Sequence, residues 1–147
     1  MRLRTGLVAA AVVVTFAGAS HAAQPPLFVA GIAPLTSAER TAMTPSVWRR
    51  GCPVPLSALR MVRVTHWNFT AQVRTGRLVV HKDAADDTVA IMRDLYAAKF
   101  PIRWMVPIER WKGSDFKSIE ADNTSAFNCR YVDGTTRWSN HAYGRAI

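Results

Sequence analysis

The strongest constraint on this chain lies at its start, where Arg2 and Arg4 precede an uninterrupted run of apolar and small residues from Leu7 to Ala19. That run is too short for the roughly 20 apolar residues a membrane-spanning helix needs, and it ends in Ser20-His21-Ala22, a small-x-small pattern accepted by signal peptidase. It reads as a secretory signal, residues 1–22, cleaved after Ala22. The alternative, a retained membrane anchor, is disfavoured because no stop-transfer flank follows. The expected location is therefore outside the cytoplasm, periplasmic or extracellular, with no stable membrane insertion after cleavage. Removal of residues 1–22 leaves 125 of the 147 residues, enough for one compact domain and a single core.

Export changes the meaning of charge and cysteine. Residues 23–147 keep 17 Lys and Arg against 10 Asp and Glu. In the cytoplasm such a balance points first to nucleic acid. Outside it, the abundant polyanions are peptidoglycan, surface phosphates and anionic lipids, and a plain solubilising surface is the simplest reading of charge alone. No aromatic-basic repeat or helix-turn-helix pattern supports a nucleic-acid partner. Cys52 and Cys129 both fall in the exported part. An oxidising compartment favours pairing them, against the alternative of two buried free thiols.

Local signals then lay out the elements. Residues 23–47 read as an extended leader, proline-rich from Gln24 to Pro34, followed by a short helix. Thr36-Ser37-Ala38-Glu39 has capping-box spacing, which predicts that helix from Ser37 to about Met43, ended by Pro45. Trp48 is expected to anchor an irregular loop through Pro55. Leu59–Val64 reads as a strand, and Trp67–Val73 with Leu78–His81 as a hairpin turning at Arg74-Thr75-Gly76-Arg77. Val89, Met92, Leu95, Tyr96 and Phe100 give one apolar face to a long helix that Asp83 is expected to cap and Pro101 to end. Asp86 and Asp87 complement its dipole. Strands are expected over Ile102–Ile108 and Ser125–Tyr131, with a polar loop of Gly113, Ser114, Asp115 and Asp122 between them and a turn at Asp133-Gly134. Gly144–Ile147 reads as the opening of a buried strand. The fold class is α+β, a small antiparallel sheet with one long helix. Trp67, Trp104, Trp111 and Trp138 read as packing residues rather than groove lining.

None of the histidines, His21, His66, His81 and His141, forms an H-x-x-x-H or H-E-x-x-H pair. On spacing alone His141 is an ordinary hydrogen-bonded histidine and Arg130 an ordinary surface arginine. The run Ser139-Asn140-His141-Ala142-Tyr143-Gly144-Arg145-Ala146-Ile147, however, resembles the S-x-H-x-x-G-x-A-x-D signature of the zinc D-alanyl-D-alanine carboxypeptidases, a family that also includes L-alanoyl-D-glutamate endopeptidases. Four further stretches resemble its exported, VanY-like branch: Trp48–Val54, Gly76–His81, Lys99–Ile102 and Asp122–Arg130. The likeness extends over residues 48–147.

The resemblance implies a Hedgehog/D,D-peptidase-like single domain acting on peptidoglycan stem peptides. It implies His141 as the first zinc ligand, Ser139 as the residue that orients it, and Arg130 as the group that binds substrate and stabilises the transition state. A guanidinium in a water-poor cleft suits that task, since its parallel donors match a carboxylate or an oxyanion. The chain departs from the pattern where the signature's aspartate would follow Ile147. The family's third ligand and the glutamate base before it have no counterpart either, and no acidic residue occurs after Asp133. Peptidase zinc needs three protein ligands and a base. The expectation is thus a C-terminally truncated, incomplete peptidase domain that hydrolyses nothing as written. The rival expectation is a non-catalytic wall-binding module of the same fold.

Overall fold

The computed structural model describes residues 26–147. The expected secretory signal, with His21, and the first residues of the expected leader lie outside them.

The described chain combines a small antiparallel sheet with one long helix. Its elements are β1 (Ala30–Pro34), α1 (Ser37–Met43), β2 (Leu59–Trp67), β3 (Val73–His81), α2 (Ala85–Ala97), β4 (Trp104–Met105), α3 (Asp115–Glu120) and β5 (Asn123–Thr124). Strands β1, β2 and β3 pair antiparallel in that order, while β4 and β5 form a separate two-residue parallel pair. Helix α1 carries the expected capping box: the Thr36 hydroxyl accepts from the Glu39 amide at 3.2 Å, and the Glu39 carboxylate accepts from the Thr36 amide at 2.8 Å.

Alternation in β2 and β3 sends side chains to two cores. Leu59, Met61 and Val79 join Met43, Val47, Ile108, Phe127 and Cys129 on one face. Val62, Val64, Leu78 and Val80 join Met92, Ile102 and Met105 beneath α2 on the other. A two-residue period with both faces covered is what a buried strand requires. Cys52 and Cys129 are joined in a disulfide with Cα atoms 5.9 Å apart. Trp48 anchors its loop by donating from Nε1 to the Val54 carbonyl at 2.9 Å.

Several expectations are corrected. The hairpin turns at Asn68–Gln72, not at Arg74–Arg77, because Asn68 Oδ1 accepts from the amides of Thr70 and Gln72 at 3.0 and 2.8 Å. That side chain does the work assigned to Gly76. Gly76 instead lies inside β3, where an added Cβ would meet Met105 Sδ at 2.5 Å, so its function is close approach rather than turning. Asp83 does not cap α2: the cap is Ala84, and the Asp83 amide donates to His81 Nδ1 within the preceding 3₁₀ turn. Phe100 lies beyond the helix and is exposed. The expected strand over Ile102–Ile108 shrinks to Trp104–Met105, and Ile108–Trp111 forms a 3₁₀ turn after Pro107. Part of the expected polar loop is α3, capped by Ser114. Residues 125–130 run without strand pairing, and Gly144 takes a left-handed conformation (φ 65°) that ends a 3₁₀ turn instead of opening a strand.

Candidate functional site

Residues 126–130 and 139–144 lie side by side against the end of β3. The Asn128 amide donates to the His141 carbonyl and the Ser139 amide to the Arg130 carbonyl, both at 3.1 Å. The His81 amide donates to the Gly144 carbonyl at 2.9 Å. Gly144 permits this approach, since a Cβ there would stand 2.7 Å from the His81 nitrogen. These backbone bonds bring Arg130, Ser139 and His141, eleven residues apart at their extremes, onto one rim.

Ser139 is buried and caps the 3₁₀ turn Asn140–Tyr143, its hydroxyl accepting from the His141 amide at 3.3 Å. It therefore sets the backbone from which the imidazole projects. The imidazole Nδ1 lies 2.5 Å from the Ala126 carbonyl oxygen. A carbonyl can only accept, so Nδ1 carries a proton, and in the neutral imidazole the lone pair is on Nε2. Histidines that ligate metals are held in this way, with the distal nitrogen fixed by a carbonyl or carboxylate.

Arg130 is one-third exposed, and its Nε is directed against the Asp115 carboxylate. Its Nη1 donates to the Tyr131 carbonyl at 3.1 Å, leaving Nη2 without a protein partner among the described residues. Asp115 is held in turn by Asn128, whose Nδ2 donates to Asp115 Oδ1 at 2.8 Å and to the Gly113 carbonyl at 3.0 Å. Asn128 is buried. Asp115 and Asn128 are functional neighbours that the sequence reading placed only in a polar loop and a strand. The Ser114-Asp115 pair, a cap followed by an acid in the first turn, is the signal that would have revealed α3.

His141 and Arg130 both line a cavity of about 810 Å³. Val80 and Ile102 contribute from the sheet side, Ile91 and Leu95 from α2, and Ile119 from α3. These apolar side chains form a trough, and Asp87, Thr88, Asn123 and Ser125 also line the cavity, a mixed constitution open to a small molecule or peptide. Arg145 and Asp83 close one corner with an ion pair at 3.2 Å.

As to metal, the fixed Nε2 of His141 suits one ligand position. Among the described residues, no group of three or more His, Cys, Asp or Glu side chains could hold an ion. No protein-family model, no curated protein and no solved structure matches this chain.

Proposed function

We propose that this chain is a peptidoglycan stem-peptide-recognising domain with the Hedgehog/D,D-peptidase-like fold, of the zinc D-alanyl-D-alanine carboxypeptidase type, working outside the cytoplasm. The observation that carries the reading is the juxtaposition of an Nδ1-anchored imidazole and a carboxylate-braced guanidinium in the lining of one cavity. Arg130 supplies the free donors of Nη2 to a terminal carboxylate, and Asp115 with Asn128 keeps that guanidinium from swinging away. The trough beside it accepts the small side chains of a D-Ala-D-Ala terminus. His141 Nε2 offers a lone pair in the same cavity. A zinc ion held there would polarise an amide carbonyl and acidify a water molecule. Of the three protein ligands such an ion needs, the described residues supply one. A non-catalytic wall-binding module of the same fold, with a net charge of +9 over the whole sequence, is the second reading.

Calorimetry of the purified chain with a stem pentapeptide ending in D-Ala-D-Ala tests this. Binding is expected, weakened about tenfold or more by Arg130→Gln and equally by amidation of the peptide's terminal carboxylate. Absence of binding, or binding indifferent to both changes, overturns the proposal. D-alanine release on adding zinc that vanishes in His141→Ala selects the peptidase over the module.

A further inference from the structure

A second cavity, about 600 Å³, opens at the hairpin end of the sheet and shares no lining residue with the first. It is bounded by the Asn68–Gln72 turn, the ends of β2 and β3, and β4. Two of its walls are large aromatic rings left in solvent: Phe69 is 62% exposed and Trp104 is 47% exposed. Trp104, expected to pack, is thus about half in solvent and lines this cavity. Rings this open contribute little to either core, so packing does not explain why both stand in one cleft.

The backbone that carries Phe69 and the ring of Trp104 both have partners. Phe69 sits in a turn whose backbone is fixed by three bonds to Asn68 Oδ1, from the Thr70 amide, the Thr70 hydroxyl and the Gln72 amide, at 3.0, 2.9 and 2.8 Å. Trp104 carries the Arg110 guanidinium over its ring at 5.6 Å. Among the described residues, the cavity is also lined by Arg74, Arg103 and His66 and by no acidic side chain. Arg103 is neutralised by Asp122 at 3.1 Å, whereas Arg74 donates only to the neutral amide of Gln72, at 2.6 Å. Asn68, Thr70 and Thr75 add neutral donors and acceptors.

We infer that this cleft binds an acidic sugar: a pyranose ring bearing one carboxylate, its C–H face against Trp104 or Phe69, its hydroxyls on Asn68 and the threonines, and its carboxylate on Arg74. The negative face of an aromatic ring attracts the positive C–H edge of the sugar. One uncompensated guanidinium matches one charge per ring. A single-stranded nucleic acid offers rings too, but needs a basic groove that tracks successive phosphates, and among the described residues that line this cleft only Arg74 is a cation without an acidic partner. The inference does not rest on the reading of the first cavity.

Saturation-transfer NMR and tryptophan fluorescence on the purified chain provide the test, with glucuronate and N-acetylmuramate as probes, neutral glucose and N-acetylglucosamine as congeners, and a short oligothymidylate as competitor. Each acid is expected to bind about tenfold or more tighter than its neutral congener. Trp104→Ala and Arg74→Gln, both at exposed positions, should each weaken the acids by a similar factor, while Trp104→Phe retains binding. Arg130→Gln should change nothing, which separates this cleft from the first. Equal binding of acid and neutral sugar, tighter binding of the oligothymidylate, or indifference to Trp104→Ala overturns the inference.

Discussion

On one face of the sheet, Met43, Val47, Leu59, Met61 and Phe127 pack beneath α1 and the Trp48 loop, and the Cys52–Cys129 bridge ties that side together across 77 residues of sequence. On the other face, Val62, Leu78, Val80 and Met92 pack beneath α2 with no covalent tie, and α2 and α3 flank the larger cavity. The site straddles this difference. Arg130 follows directly on Cys129, whose amide donates to Val47 and whose carbonyl accepts from Arg49 at 3.0 and 2.8 Å. The stapled side is the mount and the unstapled side supplies the opening. A binding group gains precision when its backbone is fixed by neighbours that do not themselves contact ligand.

The largest effect should come from cutting the staple. Closing a loop of this length restricts the unfolded chain by about 4 kcal/mol, so Cys52→Ser with Cys129→Ser should lower stability by that order in denaturant titration. The double variant should also lose affinity for the stem pentapeptide. Hydrogen exchange separates the two faces: protection should fall first at Val47 and Phe127 and last at Leu78. Loss spread evenly over both faces would break the distinction between mount and opening.

Next comes the unstapled core itself. Leu78 is fully buried between the sheet and α2, and Leu78→Ala should cost about 3 kcal/mol from lost transfer energy and the void left behind. Ile91→Ser and Ile119→Ser, at exposed cavity positions, should change stability by less than about 0.5 kcal/mol. A large loss at Ile91 or Ile119 would mean the trough is part of the core, not an opening.

How much of this was legible beforehand follows from the range of the signals. Thr36 and Glu39 cap α1 through atoms three residues apart, and the α2 stripe from Val89 to Tyr96 depends only on the helical period, so sequence alone suffices for both. The hairpin turn differs from the expected one because glycine is the stronger turn former by propensity, whereas here Asn68 closes the loop with its own side chain. Gly76 answers to Met105, which arrives 29 residues later, and no local pattern reports such a contact. His141 and Arg130 stand out in the sequence only through the resemblance, and both line one cavity. The Asp115 and Asn128 brace could not be read, since it joins α3 to an unpaired segment. Replacing Gly76 by alanine tests the long-range contact: displacing Met105 should cost about 1–3 kcal/mol. A neutral result would show that the Met105 side chain yields freely.

The smallest effect concerns acid, and it separates the faces by pH. Glu39 joins α1 to β2 on the stapled side, its carboxylate accepting from Arg63 at 2.7 Å. Burial pushes Glu39 up, but the bonds from Thr36 and Arg63 outweigh it and hold the carboxyl below its ordinary 4.5. His66, on the unstapled parity of β2 and buried, is held below its ordinary 6.5, because burial disfavours the cation more than its carbonyl neighbours favour it. In both cases the unfolded chain binds the proton more tightly than the folded one, so stability is present at higher pH and lost as pH falls. The His66 loss begins below about 6.5 and the Glu39 loss below about 4.5. Acidification should therefore loosen the unstapled end first, visible as earlier amide exchange at Val64 and Thr65 than at Met43. His66→Gln should remove the upper limb of the stability–pH curve and leave the lower one. Glu39→Gln should flatten the lower limb and cost about 1 kcal/mol near neutrality through the weakened cap and ion pair. Should His66→Gln leave the upper limb intact, the burial of that imidazole is not what makes this face acid-sensitive, and the two sides of the sheet differ only in their covalent tie.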